Sequence, residues 1–231
     1  MSRAYSCELR TNQGVPDRDQ RYLKDWAEFH IGPNQDVSEA EENEQAGLAK
    51  AVLDGIMIMR AHTTSEENKV NGWGVPPVGF GRSGFHGNFY IRGATQSMRG
   101  IVANDAEEAM YMARAKDQNG NSITNEHTYE LHFPLGQAPP ANYFWSLTVY
   151  DQYANLMLND YDRYAISGNS EDLIYEDDGS LRILIGGEPP EGMVGNCLPA
   201  GESFTRVTLR VYGPEKAMID RTWKPPQLKP L

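Results

Sequence analysis

Along residues 143–150 the side chains alternate: Tyr143, Trp145, Leu147 and Val149 point one way, Phe144, Ser146, Thr148 and Tyr150 the other. A period of two with rings on both sides predicts a central strand packed on both faces. A turn at 151–154 and an apolar run through Leu156, Met157 and Leu158 follow. Asp160, Tyr161, Asp162, Arg163 and Tyr164 then interleave rings with charges, a pattern suited to a binding surface. Upstream the period changes. Tyr22, Leu23, Trp26 and Phe29 recur every three or four residues and predict a short helix over 19–29, ended by Gly32-Pro33 and anchored to the body through Trp26 and Phe29. Ser38 and Glu41 have capping-box spacing, and Glu39, Glu42 and Glu44 suit the positive end of a helix dipole. That helix should reach His62 and bury a stripe of Leu48, Val52, Ile56 and Met59.

Residues 63–87 read as one long connection punctuated by glycine and proline, a lid or a rim. Phe89, Ala94, Met98 and Ile101 then give a mixed helical spacing that stops at Asn104-Asp105. Strand signals follow in quick succession. Residues 109–115 and 127–133 flank Asn119-Gly120 and predict a hairpin; residues 173–176 and 180–185 flank Asp177-Asp178-Gly179 and predict a second. Residues 204–212 form the last strand, with Val207, Leu209 and Val211 inward and Arg206, Thr208 and Arg210 outward. Strands joined by turns rather than helices predict a mainly β fold, an antiparallel jelly-roll-like sandwich over residues 67–231, preceded by a helical segment over residues 1–66.

Composition bears on partners more than on fold. The 231 residues suit one sizeable β domain with a helical preface. With 32 acidic against 21 basic residues the net charge is -11, which argues against nucleic acid as a partner because phosphate neutralisation needs clustered Lys and Arg. No stretch approaches the roughly 20 apolar residues of a membrane span, and the first residues lack the apolar centre of a signal peptide, so a cytoplasmic protein without membrane contact is expected. Cys7 and Cys197 have no metal-site spacing and read as two reduced thiols.

Several segments together carry a family resemblance. Asn71-Gly72-Trp73, Tyr90-Ile91-Arg92, residues 107–111, Phe144 to Asp151 reading FWSLTVYD, Leu198-Pro199-Ala200, Leu209 to Pro214 and Trp223 to Pro226 make the chain from about residue 70 onward similar to the domain of unknown function 1214 family. The resemblance implies a jelly-roll-like sandwich more firmly than a chemistry. In many relatives this domain is the C-terminal half of a longer protein, and some relatives sit among pathways that degrade apolar or aromatic compounds.

Candidate chemistry concentrates where charges lie among rings. Arg92, Asp151 and Arg163 either pair to fix turns or, in the functional reading, an arginine holds a substrate carboxylate or phenolate while Tyr150 or Tyr164 donates a proton. Trp73, Phe85, Tyr90 and Trp145, with Tyr164, would wall the pocket. No multi-residue metal signature exists, but one histidine suffices as a haem axial ligand, and His86 beside the glycine-rich loop is the position to test. No GxSxG motif or P-loop ending is present. Two functions follow: an enzyme of small-molecule metabolism acting oxidatively on an apolar or aromatic molecule, or a non-catalytic sandwich that binds a ligand or partner chain. A homo-oligomer is expected in either case, to cover apolar surface.

Overall fold

Two sheets sharing one hydrophobic core dominate the computed structural model, which describes residues 17–81, 89–98, 100, 103–201 and 203–231. The chain divides into two compact units, Met1–Ile58 and Met59–Leu231. In the first unit α1 spans Asp17–Ala27 and brings the Tyr22 and Trp26 rings to 6.2 Å. It ends before Gly32-Pro33, where the Trp26 carbonyl accepts the N–H groups of Phe29 and Ile31. Trp26 and Phe29 are 46% and 44% exposed.

The second helix, α2 (Glu42–Thr64), crosses the division between the units. Its cap lies three residues beyond the expected one. Ser38 sits in a 3-10 turn, Val37–Glu39, capped by Asp36, whose carboxylate accepts the Ser38 N–H. Glu41 opens the α-helix instead: its carbonyl accepts the Gln45 N–H, and its own N–H donates to the Glu44 side chain, half of a capping box. Of the apolar stripe expected to be buried, Leu48 and Met59 are half-buried while Val52 and Ile56 are exposed.

In the second unit the strands are β1 (Lys69–Val70), β2 (Trp73–Gly74), β3 (Ala109–Arg114), β4 (Tyr129–Phe133), β5 (Ala141–Asp151), β6 (Ala165–Ser167), β7 (Leu181–Ile185), β8 (Cys197–Leu198), β9 (Phe204–Pro214) and β10 (Lys229–Pro230). One sheet has the order β1-β2-β3-β9-β5-β6, the other β10-β4-β7-β8. All pairs are antiparallel except β7 with β8, which departs from the all-antiparallel expectation. Among the described residues this unit also carries α3 (Phe89–Met98), which stops short of the predicted end, and α4 (Lys216–Ile219).

Both predicted hairpins are corrected. Asn119-Gly120 does not join β3 to β4, which lie in different sheets. The Asp117 carboxylate accepts the N–H groups of Asn119 and Asn121 and closes a tight loop across a single Lys116–Ser122 bridge, after which the chain crosses to the other sheet. The hairpin that Asn-Gly does make is β1–β2, where Asn71 and Gly72 both take positive φ (49° and 81°), the backbone of a type I′ turn. At 173–176 no strand forms: the buried Asn196 side chain accepts the Ile174 N–H and donates to the Ile174 and Arg182 carbonyls, occupying the groups a ladder would use.

Strand β5 lies between β9 and β6, as a central strand should, and its register with β9 orders both faces. Inward, Trp145, Leu147 and Val149 meet Val207, Leu209 and Val211, together with Met110 and Met112 of β3, and are covered by Leu131, Phe133, Leu181 and Ile183 of the other sheet. The outward face carries Tyr111 and Ala113 of β3, Thr148 and Tyr150 of β5, and Arg206, Thr208 and Arg210 of β9. Its two threonines are buried and the others half-buried, and it is polar rather than packed like the core.

Candidate functional site

The outer face of the larger sheet forms the floor of a cleft of about 580 Å³, within the usual range for small-molecule pockets. Register sets the floor's composition. Arg206 pairs with Tyr150, Thr208 with both Thr148 and Ala113, and Arg210 with both Ser146 and Tyr111, so alternate residues of three strands share one surface. Arg206 and Arg210 are four apart, roughly 13 Å along an extended strand. Both lean over the Tyr150 ring, with guanidinium carbons 5.3 and 5.4 Å from its centroid. Arg210 donates to the Thr148 hydroxyl at 3.1 Å and the Tyr150 hydroxyl at 2.5 Å. Arg206 makes no hydrogen bond among the described residues, and its Nε is buried without a partner.

The other wall is apolar: Pro76, Phe80, Met98 and Ala103, with Thr95 of α3 and Ala154 at the lip. Arg92 builds this wall. Its guanidinium donates to the Gly81 and Ala103 carbonyls, each at 3.2 Å, tying α3 to the chain on both its sides. Gly81 is needed there, because a Cβ would stand 2.5 Å from the Asn104 carbonyl oxygen. At the lip, Ala154 has φ of 68° in a turn held by the Asp151 carboxylate, which accepts from the Tyr153 and Asn155 N–H groups. Those hydrogen bonds, and more weakly the charge of Arg206, hold the Asp151 carboxyl below its ordinary pKa. Burial pushes the Tyr111 hydroxyl up, with Tyr212 beside it adding to the rise. A second opening of about 640 Å³ meets this cleft at Ala113 and Arg206; its Arg114 donates to the carbonyls of Asn71, Lys116 and Asp117.

The candidates named from sequence fall in several places. Tyr150 lines the cleft. Arg92 supports its wall through backbone carbonyls, which leaves it a positioning role rather than a catalytic one. Trp73 and Trp145 are core residues, 1% and 5% exposed, not pocket walls. The Trp73 indole N–H is spent on the Pro226 carbonyl, and Trp145 packs on Phe133 with ring centroids 6.0 Å apart. Arg163 pairs with Asp172 and donates to the Gly195 carbonyl, fixing loops outside the cleft, the plainer of its two readings. Tyr164 is also outside the cleft lining, beside the Asp162 carboxylate, which raises its pKa. Phe85 and His86 lie outside the described residues, as does the Tyr90 side chain in the first turn of α3. Among the described residues no cluster of three or more His, Cys, Asp or Glu could hold a metal ion. Arg206, Arg210 and Tyr111 are functional candidates that only the structure brings together, although β9's outward Arg-x-Thr-x-Arg pattern is a signal for two of them in the sequence.

The floor also defines the kinship. Residues 108–216 match the family described as protein of unknown function (DUF1214). This match spans just under half of the chain. The DUF1214 segment contains β3, β5 and β9, and so Tyr111, Tyr150, Arg206 and Arg210, whereas α3 and Phe80 precede it. In fold the chain is similar to the crystal structure of the VPA0106 protein from Vibrio parahaemolyticus, with a TM-score of 0.65 and 17% identity over 96% of this chain and 58% of that one. An uncharacterized protein from Burkholderia cenocepacia aligns with a TM-score of 0.38 and 13% identity over 100% of this chain and 49% of that one. This chain therefore spans less than two thirds of either protein. No curated protein matches it. Among the described residues no helix is long and apolar enough to cross a membrane.

Proposed function

We propose that the outer-face cleft binds a small apolar or aromatic molecule. One observation carries this reading: the face of the larger sheet that points away from the core is not left to solvent but is walled by α3 and Phe80 around about 580 Å³ of space. Polar groups cluster on the floor and apolar side chains on the wall, which supports a ligand held by its apolar body and oriented by a few hydrogen bonds. The Tyr150 hydroxyl accepts from Arg210 and keeps its own proton to donate toward such a ligand. The described lining supplies donors and no carboxylate, imidazole or thiol, so ligand binding is the reading the geometry supports best.

The test uses N-phenyl-1-naphthylamine, a neutral apolar dye that brightens in apolar surroundings. Wild-type protein should enhance its fluorescence, and Ala113→Phe, which fills the floor between Tyr111 and Thr208, should abolish the enhancement while leaving the melting temperature near wild type. Enhancement that survives Ala113→Phe unchanged would place dye binding elsewhere, for example on the exposed apolar side chains of α2, and would contradict the proposal.

A further inference from the structure

Resting on that binding reading, we propose that the ligand carries a carboxylate and that Arg206, with Arg210 beside it, is the group that selects it. Arg206 has five N–H donors, and among the described residues none of them forms a hydrogen bond, although its Nε is shut off from solvent. A buried donor without a partner is costly, and a guanidinium, which stays charged, cannot relieve that cost by losing a proton. Arg210 brings a second cation to the same Tyr150 ring, and among the described residues neither arginine forms an ion pair. Asp151 is near enough for Arg206 to affect its titration but is already engaged: one oxygen accepts from the backbone N–H groups of Tyr153 and Asn155, the other from the Asn155 side chain.

Two cations held beside one ring repel each other, and an anion between them turns that repulsion into attraction. A planar carboxylate matches the Arg206 fork through two parallel N–H donors, and a remaining lone pair on one of its oxygens can accept the Tyr150 hydroxyl proton. The apolar wall of Phe80, Met98 and Ala103 faces the remainder of such a molecule. An inorganic anion would leave that wall unused, so the site fits an apolar or aromatic acid.

A matched probe pair tests this. 2-Naphthoate and 2-naphthamide share a ring system and nearly a shape but differ by one charge. Isothermal titration calorimetry on the full chain should show naphthoate binding about tenfold or more tightly than naphthamide, the scale of a charge-assisted hydrogen-bond pair. In Arg206→Gln the preference should shrink to roughly twofold or less, and Arg206→Lys should keep part of it, as a point charge without the fork. Added salt should weaken naphthoate and leave naphthamide unchanged, a readout that needs no variant. Equal affinities in wild type would overturn the carboxylate assignment and leave the binding cleft standing. A preference that persists undiminished in Arg206→Gln would overturn the role of Arg206. Binding of neither probe at millimolar concentration would overturn the carboxylate assignment, and the cleft reading falls with it if N-phenyl-1-naphthylamine also fails to bind.

Discussion

Replacing Asn196 tests how the end of the sandwich is held where no strand forms. The side chain is 1% exposed and makes three hydrogen bonds: it accepts the Ile174 N–H at 2.8 Å and donates to the Ile174 carbonyl at 2.7 Å and the Arg182 carbonyl at 2.8 Å. At about 1 kcal/mol net for each, Asn196→Ala removes about 3 kcal/mol. Ile174 is 51% exposed, so water recovers part of its share, and the expected loss is about 2–3 kcal/mol. For a unit of this length that corresponds to a fall in melting temperature of roughly 5–10 °C. The assay is thermal unfolding by circular dichroism, with a urea titration in parallel to show that the denaturant slope is unchanged. Asn196→Asp sharpens the test. It keeps the acceptor for the Ile174 N–H but sets a carboxylate against two carbonyl oxygens, so it should be at least as destabilised as the alanine variant. A loss below about 0.5 kcal/mol in Asn196→Ala, the ordinary scatter of surface substitutions, or an Asn196→Asp protein more stable than Asn196→Ala, would refute the assignment.

Arg92→Gln should loosen the cleft wall by removing two carbonyl contacts, lowering dye affinity several-fold while the core melts nearly as before; unchanged affinity would show that α3 is held by other means. Cys197 is 1% exposed, and burial pushes its thiol pKa up, so in a Cys7→Ser background iodoacetamide should label it only at denaturant concentrations that unfold the protein; rapid labelling of the native protein would contradict its burial. Tyr111 titrates above its ordinary value of 10.0 because burial disfavours the phenolate. The folded state then holds its proton more tightly than the unfolded chain, so this contribution is complete below pH 10.0 and is lost as pH rises through the raised pKa. Denaturant titrations across that range should show a shallower decline for Tyr111→Phe than for wild type, and parallel declines would refute the cause.

Much of the frame could be read from periodicity because periodicity reports on faces. The two-residue alternation of β9 assigned its inner residues correctly, that of β5 grouped Trp145, Leu147 and Val149 on one face but added Tyr143, which is exposed, and the three- and four-residue recurrences found α1 and α2. Pairing was less accessible, since which strand lies beside which depends on distant segments. Asn119-Gly120 looked like a hairpin because strand-like runs flanked it, yet the chain crosses there to the other sheet; Asn71-Gly72 makes the tight turn between strands only two residues long, too short to show alternation. The site was partly hidden for the same reason. Trp73 and Trp145 suggested pocket walls because large rings suit either a cavity or a core, and only the sheet's inner face decides for the core. Arg206, Thr208 and Arg210 were assigned outward, but alternation does not say whether an outer face meets water or a roof. The usable clue was that strands in the middle of a sheet carried charge on one side, and register then brought Tyr111, Tyr150 and the two arginines onto one surface.

The location of the bound molecule is the central claim, and the methionine methyl groups report on it directly. Met98 lines the cleft, whereas Met110 and Met218 belong to the core. In NMR spectra of methyl-labelled methionine protein, assigned by single substitution, saturating 2-naphthoate should move the Met98 resonance strongly and leave those of Met110 and Met218 in place. A titration in which Met98 stays fixed while the resonance of Met57, on the exposed stretch of α2, moves instead would contradict the account.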